Sequence, residues 1–205
     1  EELTSAWQAD QAETGLRLRL VETLWLTLAG FRIEQRDTPS LDEATGFYST
    51  EGEQAHRGAE ASLSGNLARN WSLYLGYART HTETPEGSRP FDSQPPHAAT
   101  LQTMYRFTRG WLDEVALGLG YRYKHGYDGT MRGEYVGPDY FFDEVHLFDL
   151  SLDLPLSRLG GSRDWSFQLA VKNLFDRGYF ESNRHYYQCF TGEPRTFEVA
   201  LRGRF

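Results

Sequence analysis

One cysteine, Cys189, is all that 205 residues contain, so no disulfide forms within the chain and cysteine usage does not reveal a compartment. That thiol is left free or paired with a residue outside this chain. Long apolar runs are missing too: nothing approaches the roughly 18 consecutive residues of a membrane helix, which excludes a helical membrane protein. Positive charge is scarce, with 21 Lys and Arg against 29 Asp and Glu and a pI near 5.3. Nucleic acid requires a basic footprint and is excluded as a partner. There is no Gly-x-Ser-x-Gly, no Gly-rich phosphate loop and no cysteine pair. His185 and Cys189 are four apart in a stretch with no helical face and no second pair, so neither a metal centre nor a cofactor is expected. Glu1 opens the chain with neither the basic nor the apolar part of a secretory signal, so any such leader is expected to have been removed or never to have belonged to this piece.

Aromatics, by contrast, are plentiful, with 13 Phe, 12 Tyr and 5 Trp beside 20 Gly, yet mean hydropathy is only -0.61. Transmembrane β-barrels combine these features, because half of each strand faces lipid and half faces water or polar filling. The last stretch, PRTFEVALRGRF from Pro194 to Phe205, has period two: Phe197, Val199, Leu201 and Phe205 on one face, Thr196, Glu198, Arg202 and Arg204 on the other. Lipid or a second layer must cover that apolar face.

The same alternation recurs along the chain. Residues 1–12 have no clear period and are expected as a loop or frayed strand end. Leu16, Leu18 and Leu20 then oppose Arg17 and Arg19, and Trp25, Thr27, Ala29, Phe31 and Ile33 oppose Gly30, Arg32 and Glu34, with both faces apolar from Leu24 to Leu28. Residues 36–54, 82–96, 125–143 and 176–193 are long and polar, and are expected as loops. Between them lie paired strands built on Ala59 to Leu67 and Trp71 to Tyr77, Ala99 to Phe107 and Val115 to Tyr123, Phe148 to Leu154 and Trp165 to Val171. Nine strands of roughly 8 to 14 residues result, joined alternately by short turns and long loops, which is the asymmetry of bacterial outer-membrane barrels. A periplasmic C-terminus makes every short turn periplasmic and every long loop external. Trp25, Trp71, Trp111 and Trp165 all follow short turns and are expected in a periplasmic aromatic girdle, joined by Phe107 and Phe205. The row Arg32, Glu60, Arg106, Arg122, Lys124, Asp149, Asp153, Lys172, Glu198, Arg202 and Arg204 is expected to line the lumen.

Several stretches carry a resemblance. Val171-Lys172-Asn173-Leu174-Phe175-Asp176-Arg177-Gly178-Tyr179 resembles the "NLFD, then Tyr" segment of TonB-dependent outer-membrane receptors, and Gly192-Glu193-Pro194-Arg195 their "GEPR" terminal strand. Glu13-Thr14-Gly15, Arg57-Gly58-Ala59-Glu60, and Pro95-Pro96-His97 with Tyr105-Arg106-Phe107 are similar to further landmarks in the same order. The resemblance covers Glu13 to Phe205. It implies an all-β, antiparallel up-and-down barrel of about 22 strands in the outer membrane of a Gram-negative bacterium, of which residues 1–205 would be the C-terminal part, without the plug domain and the first barrel strands. It also implies uptake of a ferric siderophore or similar scarce chelate, driven by the TonB complex acting through the plug.

The external loops supply the expected ligand-binding residues, Tyr127, Arg132, Tyr135 and Tyr140 in one and Arg184, His185, Tyr186 and Tyr187 in another. Arginine offers permanently charged planar donors to an anionic chelate, and tyrosine a flat face with a hydroxyl. Two alternatives predict different structures. A small outer-membrane hydrolase needs a Ser–His pair in hydrogen-bond reach, and a passive or structural small barrel needs the Leu16 strand to close against the Leu201 strand.

Overall fold

Apolar side chains at every second position leave an extended backbone with two unlike faces, and pairing of such strands joins like faces into one surface. The computed structural model describes residues 6–41, 48–83, 85, 95–128, 141–160, 165–185 and 188–203. Among them run β1 (Gln8–Val21), β2 (Leu24–Leu41), β3 (Tyr48–Ala68), β4 (Trp71–Glu83), β5 (His97–Arg106), β6 (Ala116–Lys124), β7 (Tyr127–Asp128), β8 (Phe141–Phe142), β9 (Val145–Pro155), β10 (Trp165–Lys172), β11 (Phe180–His185), β12 (Gln188–Thr191) and β13 (Thr196–Gly203). Nine form a single antiparallel sheet in the order β1-β2-β3-β4-β5-β6-β9-β10-β13, while β7 with β8 and β11 with β12 form separate two-stranded ribbons. The ends joined by short turns alternate with those joined by long segments throughout. β1 and β13 are the two edges and do not pair with each other among the described residues, so these strands do not form the small closed barrel.

Register fixes the faces. Leu26, Leu63, Leu75, Leu101, Tyr121 and Phe148 are lateral neighbours across six strands. Leu119, Leu150, Val171 and Phe197 continue that surface across the rest. It is left open: Leu75 is 44% exposed, Phe197 65% and Leu201 59%. A continuous apolar sheet face of this extent is stable only against lipid or another protein layer. On the other face, Trp25, Ser64, Tyr74, Gln102, Gly120 and Asp149 are neighbours. That polar face is the concave one. A hollow of about 420 Å3 there is lined by Tyr74, Gln102, Gly120, Asp149 and Lys172 among others, a second of about 270 Å3 by Thr27, Glu60, Ser62 and Thr100, and a third of about 320 Å3 by Asp153, Gln168 and Glu198.

Several sequence expectations change. Trp25 does not join an outward girdle: Leu18 pairs with Leu26 and Leu16 with Leu28, which places the leucines outward and Trp25 on the concave face with Thr27, Ala29, Phe31 and Ile33. Arg32 moves the other way, outward beside Arg57. The physical reason is that β2 is apolar on both faces near Leu24 to Leu28, so its own period does not choose. Its partners β1 and β3 do, and a one-residue slip would turn every one of their side chains over. Inside, the Trp25 ring is covered by the Arg17 guanidinium at 4.7 Å and the Arg19 guanidinium at 5.9 Å, a cation–π arrangement. β1 begins at Gln8 rather than near Glu13. β2 and β3 continue to Leu41 and from Tyr48, through much of the expected 36–54 loop, because ladder hydrogen bonds hold a polar hairpin without an apolar face.

Trp71 and Trp165 lie outward, Trp71 against Tyr105 at 6.1 Å and Trp165 opposite Gly203. Phe107 sits edge-on to Tyr105 at 5.1 Å. Trp111 belongs to a 3-10 turn, Gly110–Leu112, and is 85% exposed. Phe205 is outside the described residues.

Candidate functional site

Where β9, β10 and β13 leave the sheet at the long-loop end, one residue ties three segments together. Asn173 is 3% exposed and holds φ at +50°, a left-handed conformation that asparagine tolerates better than most residues. Its backbone N–H donates to Asp149 Oδ1 at 2.9 Å. Its side-chain Nδ2 donates to the carbonyls of Arg177 at 2.9 Å and Glu193 at 3.1 Å, and its Oδ1 accepts from the Arg177 N–H at 2.9 Å. Asp176, at φ +53°, accepts the Arg195 N–H through Oδ1 at 2.9 Å. Leu174 N–H reaches the Phe148 carbonyl at 2.7 Å. The Asn-Leu-Phe-Asp stretch therefore locks the exit of β10 to the entry of β13 and to the top of β9.

Above this knot, Tyr179 lies across Gly192, where an added Cβ would come within 1.9 Å of the ring. Gly192 N–H donates to the Tyr179 carbonyl at 2.8 Å. Burial pushes the Tyr179 phenol up from its ordinary value, with the Glu181 carboxylate adding to the shift. The Tyr127 ring is buried and stacked on Phe142 at 4.9 Å, and Phe142 meets Phe180 edge-on at 6.4 Å. A recess of about 430 Å3 opens between these elements, lined by Phe142, Glu144, Arg177, Tyr179, Phe180 and Pro194 among others. Below it the concave wall is studded with ion pairs: Arg122 with Asp149 at 3.3 Å, Lys172 with Glu198 at 2.5 Å, and Lys124 with Glu181 at 3.1 Å. Such a wall binds water, polar protein or a charged solute, and holds apolar partners poorly.

Of the residues expected to contact ligand, Tyr127 is placed at this end, with one ring face already taken by Phe142. Arg184 and His185 fall in β11, their side chains outside the described part. Arg132, Tyr135, Tyr140, Tyr186 and Tyr187 lie outside the described residues. Sequence reasoning overlooked the roles of Asn173, Asp176, Tyr179 and Gly192. The available signal was Asn and Asp three apart at the end of an alternating strand, two residue types that accept left-handed backbone.

Among the described residues no serine hydroxyl is hydrogen-bonded to a histidine. The histidines instead meet Tyr77, Tyr121, Tyr123 and Thr82, with Glu83 and Glu144 near two of them. No group of three or more His, Cys, Asp or Glu among the described residues is arranged to hold a metal ion.

Comparison with known proteins agrees with this architecture. The catecholate siderophore receptor Fiu of Escherichia coli (strain K12) is 31% identical over 212 residues, which cover 97% of this chain and 26% of that receptor. The metal-pseudopaline receptor CntO of Pseudomonas aeruginosa (strain PAO1) is 29% identical over 201 residues, covering 92% of this chain and 26% of the other. The closed-form crystal structure of Fiu from E. coli K12 superposes with a TM-score of 0.79 at 29% identity, over 97% of this chain and 28% of that one. The chain thus spans about a quarter of the length of the curated relatives it matches. Receptors of this family are transport proteins of the Gram-negative outer membrane. The family model for the β-barrel of TonB-dependent receptors matches residues 5–174, and the chain belongs to that family.

Proposed function

We propose that this chain is the C-terminal part of the barrel of an outer-membrane receptor that takes up a ferric siderophore or a similar scarce metal chelate. The observation that carries the reading is the open nine-stranded sheet itself, apolar on one face, polar and concave on the other, with the outer edges of β1 and β13 unpaired among the described residues. In hydrocarbon each unpaired edge group costs several kcal/mol, so such a sheet calls for further strands to close it. The polar concave wall suits a plug domain, and the plug would be the part on which the TonB complex acts. The external end, with its aromatic recess and loop arginines and tyrosines, suits capture of an anionic chelate. Binding and translocation, rather than catalysis, fit a wall whose charged groups pair with one another and a set of histidines whose partners include no serine among the described residues.

The test is growth and uptake of iron-55 on a panel of iron, haem, cobalamin and other chelates, with and without the complete receptor. Loss of uptake of one class of ferric chelate is expected. Equal growth and uptake on every iron source overturns the siderophore reading.

A further inference from the structure

Positive charge on the concave face is arranged differently at its two ends. Toward the long-loop end Arg122, Lys124 and Lys172 each face a carboxylate, those of Asp149, Glu181 and Glu198. At the short-turn end the register puts Arg17 and Arg19 of β1, Arg106 of β5 and Arg202 of β13 on this face, opposite Thr27, Trp25, Ala116 and Ser166. Asp153 shares this level, and it accepts Gln168 Nε2 at 3.2 Å. No carboxylate pairs with Arg17 or Arg19 among the described residues. Their heads lie over the Trp25 ring instead, at 4.7 Å and 5.9 Å, and Arg19 Nη2 donates to the Glu22 carbonyl at 3.2 Å. A guanidinium resting on an indole is held in place while the N–H donors at its edge stay available.

The polar wall leads toward these groups. The hollows of about 420 Å3 and about 320 Å3 share Met104, Ser151 and Ala170, and the second reaches Arg202. The hollow of about 270 Å3 shares Tyr74 with the first and reaches Thr27, the residue opposite Arg17. Unpaired charge of one sign at the end of such a wall draws solutes of the other sign toward it.

We infer that Arg17 and Arg19, set on Trp25, form an anion station at the periplasmic mouth of the lumen, which receives a polyanionic ferric chelate after it has left the external recess and passed down the concave wall. Charge-assisted hydrogen bonds from the two guanidinium edges take the oxygens of the chelate. This rests on the reading above, which supplies both the transported anion and the orientation. The test uses the complete receptor in whole cells with an iron-55 tris-catecholate, a trianion, as probe; binding is read on ice and the initial uptake rate in energised cells. The paired substitution Arg17→Gln/Arg19→Gln is expected to lower the uptake rate about fivefold, a change appropriate to loss of one or two charged contacts, with binding and the folded electrophoretic band unchanged. Arg17→Lys/Arg19→Lys, which keeps the charge, is expected to recover most of the rate. An unchanged rate in the glutamine pair overturns the inference, and so does a loss of binding in step with uptake, which places the effect at the external site. A lysine pair no faster than the glutamine pair also overturns it, since packing on Trp25 then explains the loss. Raised vancomycin sensitivity with an unchanged rate shows that the arginines hold the plug instead. No uptake of the trianion by the parent receptor overturns this inference, whereas equal growth and uptake on every iron source remains the result that overturns the siderophore reading.

Discussion

Asn173 is the position where a single side chain has the most to lose. Asn173→Ala removes three side-chain hydrogen bonds, to the Arg177 carbonyl, the Glu193 carbonyl and the Arg177 N–H. At about 1 kcal/mol net apiece they amount to roughly 3 kcal/mol. Alanine must also hold φ near the +50° of this site, which costs it about 1 to 2 kcal/mol. The expected destabilisation is therefore about 4 to 5 kcal/mol, large for one substitution. Asn173→Gly separates the two parts, because glycine loses the same bonds and accepts the backbone; it should fall about 1 kcal/mol short of alanine even after its greater unfolded-state entropy. The assay is the urea midpoint of the barrel in lipid micelles, followed by heat-shifted electrophoretic mobility and tryptophan emission. An Asn173→Ala midpoint within about 0.5 kcal/mol of the parent would refute the reasoning, as measured against the usual surface scatter. So would glycine proving markedly worse than alanine.

Four further outcomes are expected. Leu75→Arg, on the apolar face, should destabilise by about 2 to 4 kcal/mol in a bilayer, whereas Gln102→Arg on the concave face should cost little, both read from urea titration in vesicles. Gly192→Ala drives a methyl into the Tyr179 ring and should cost about 1 to 3 kcal/mol, with Tyr179→Ala in the same chain recovering part of the loss; a lone Gly192→Ala with an unchanged midpoint contradicts the contact. The Glu83 carboxyl is held below its ordinary value by the His81 hydrogen bond and then by the Arg57 charge. Its contribution is thus complete above the ordinary carboxylate value and is lost as pH falls through the lowered one. Glu83→Gln should remove that acid step from a carboxyl-carbon NMR titration. Trp71 should be quenched by brominated lipid and Trp25 should not, in single-tryptophan variants; strong lipid quenching of Trp25 would contradict the β1–β2–β3 register.

How much was legible in the sequence depends on whether one strand's period was enough. For β4, β5, β6, β9, β10 and β13 it was, because leucine and aromatic rows oppose serine, glycine, glutamine and charged rows, and the structure keeps those faces. For β2 it was not, since Leu24, Leu26 and Leu28 alternate with Trp25, Thr27 and Ala29 and either set could meet lipid. The knot at Asn173 lay beyond any periodic signal: its partners are at 149, 177 and 193, and nothing in a period of two links those positions. The ribbons β7–β8 and β11–β12 escaped for a related reason, being only 2 to 6 residues per strand inside stretches dominated by polar residues and glycine.

The β2 reversal reaches beyond one tryptophan. With Trp25 outward, Arg32 points into the lumen and counts as one more filling charge. With Trp25 inward, Arg32 becomes the first of a row of basic groups that includes Arg57, Arg79 and His97, and the concave wall gains a tryptophan with two guanidinium groups over its ring. Periodicity says which residues of one strand share a face; only pairing says which faces of neighbouring strands are continuous. A girdle, a lumen wall or a row of basic groups spans many strands, so each is a property of register. That is why the tryptophan spacing after short turns could not decide on which side of the sheet each ring would lie.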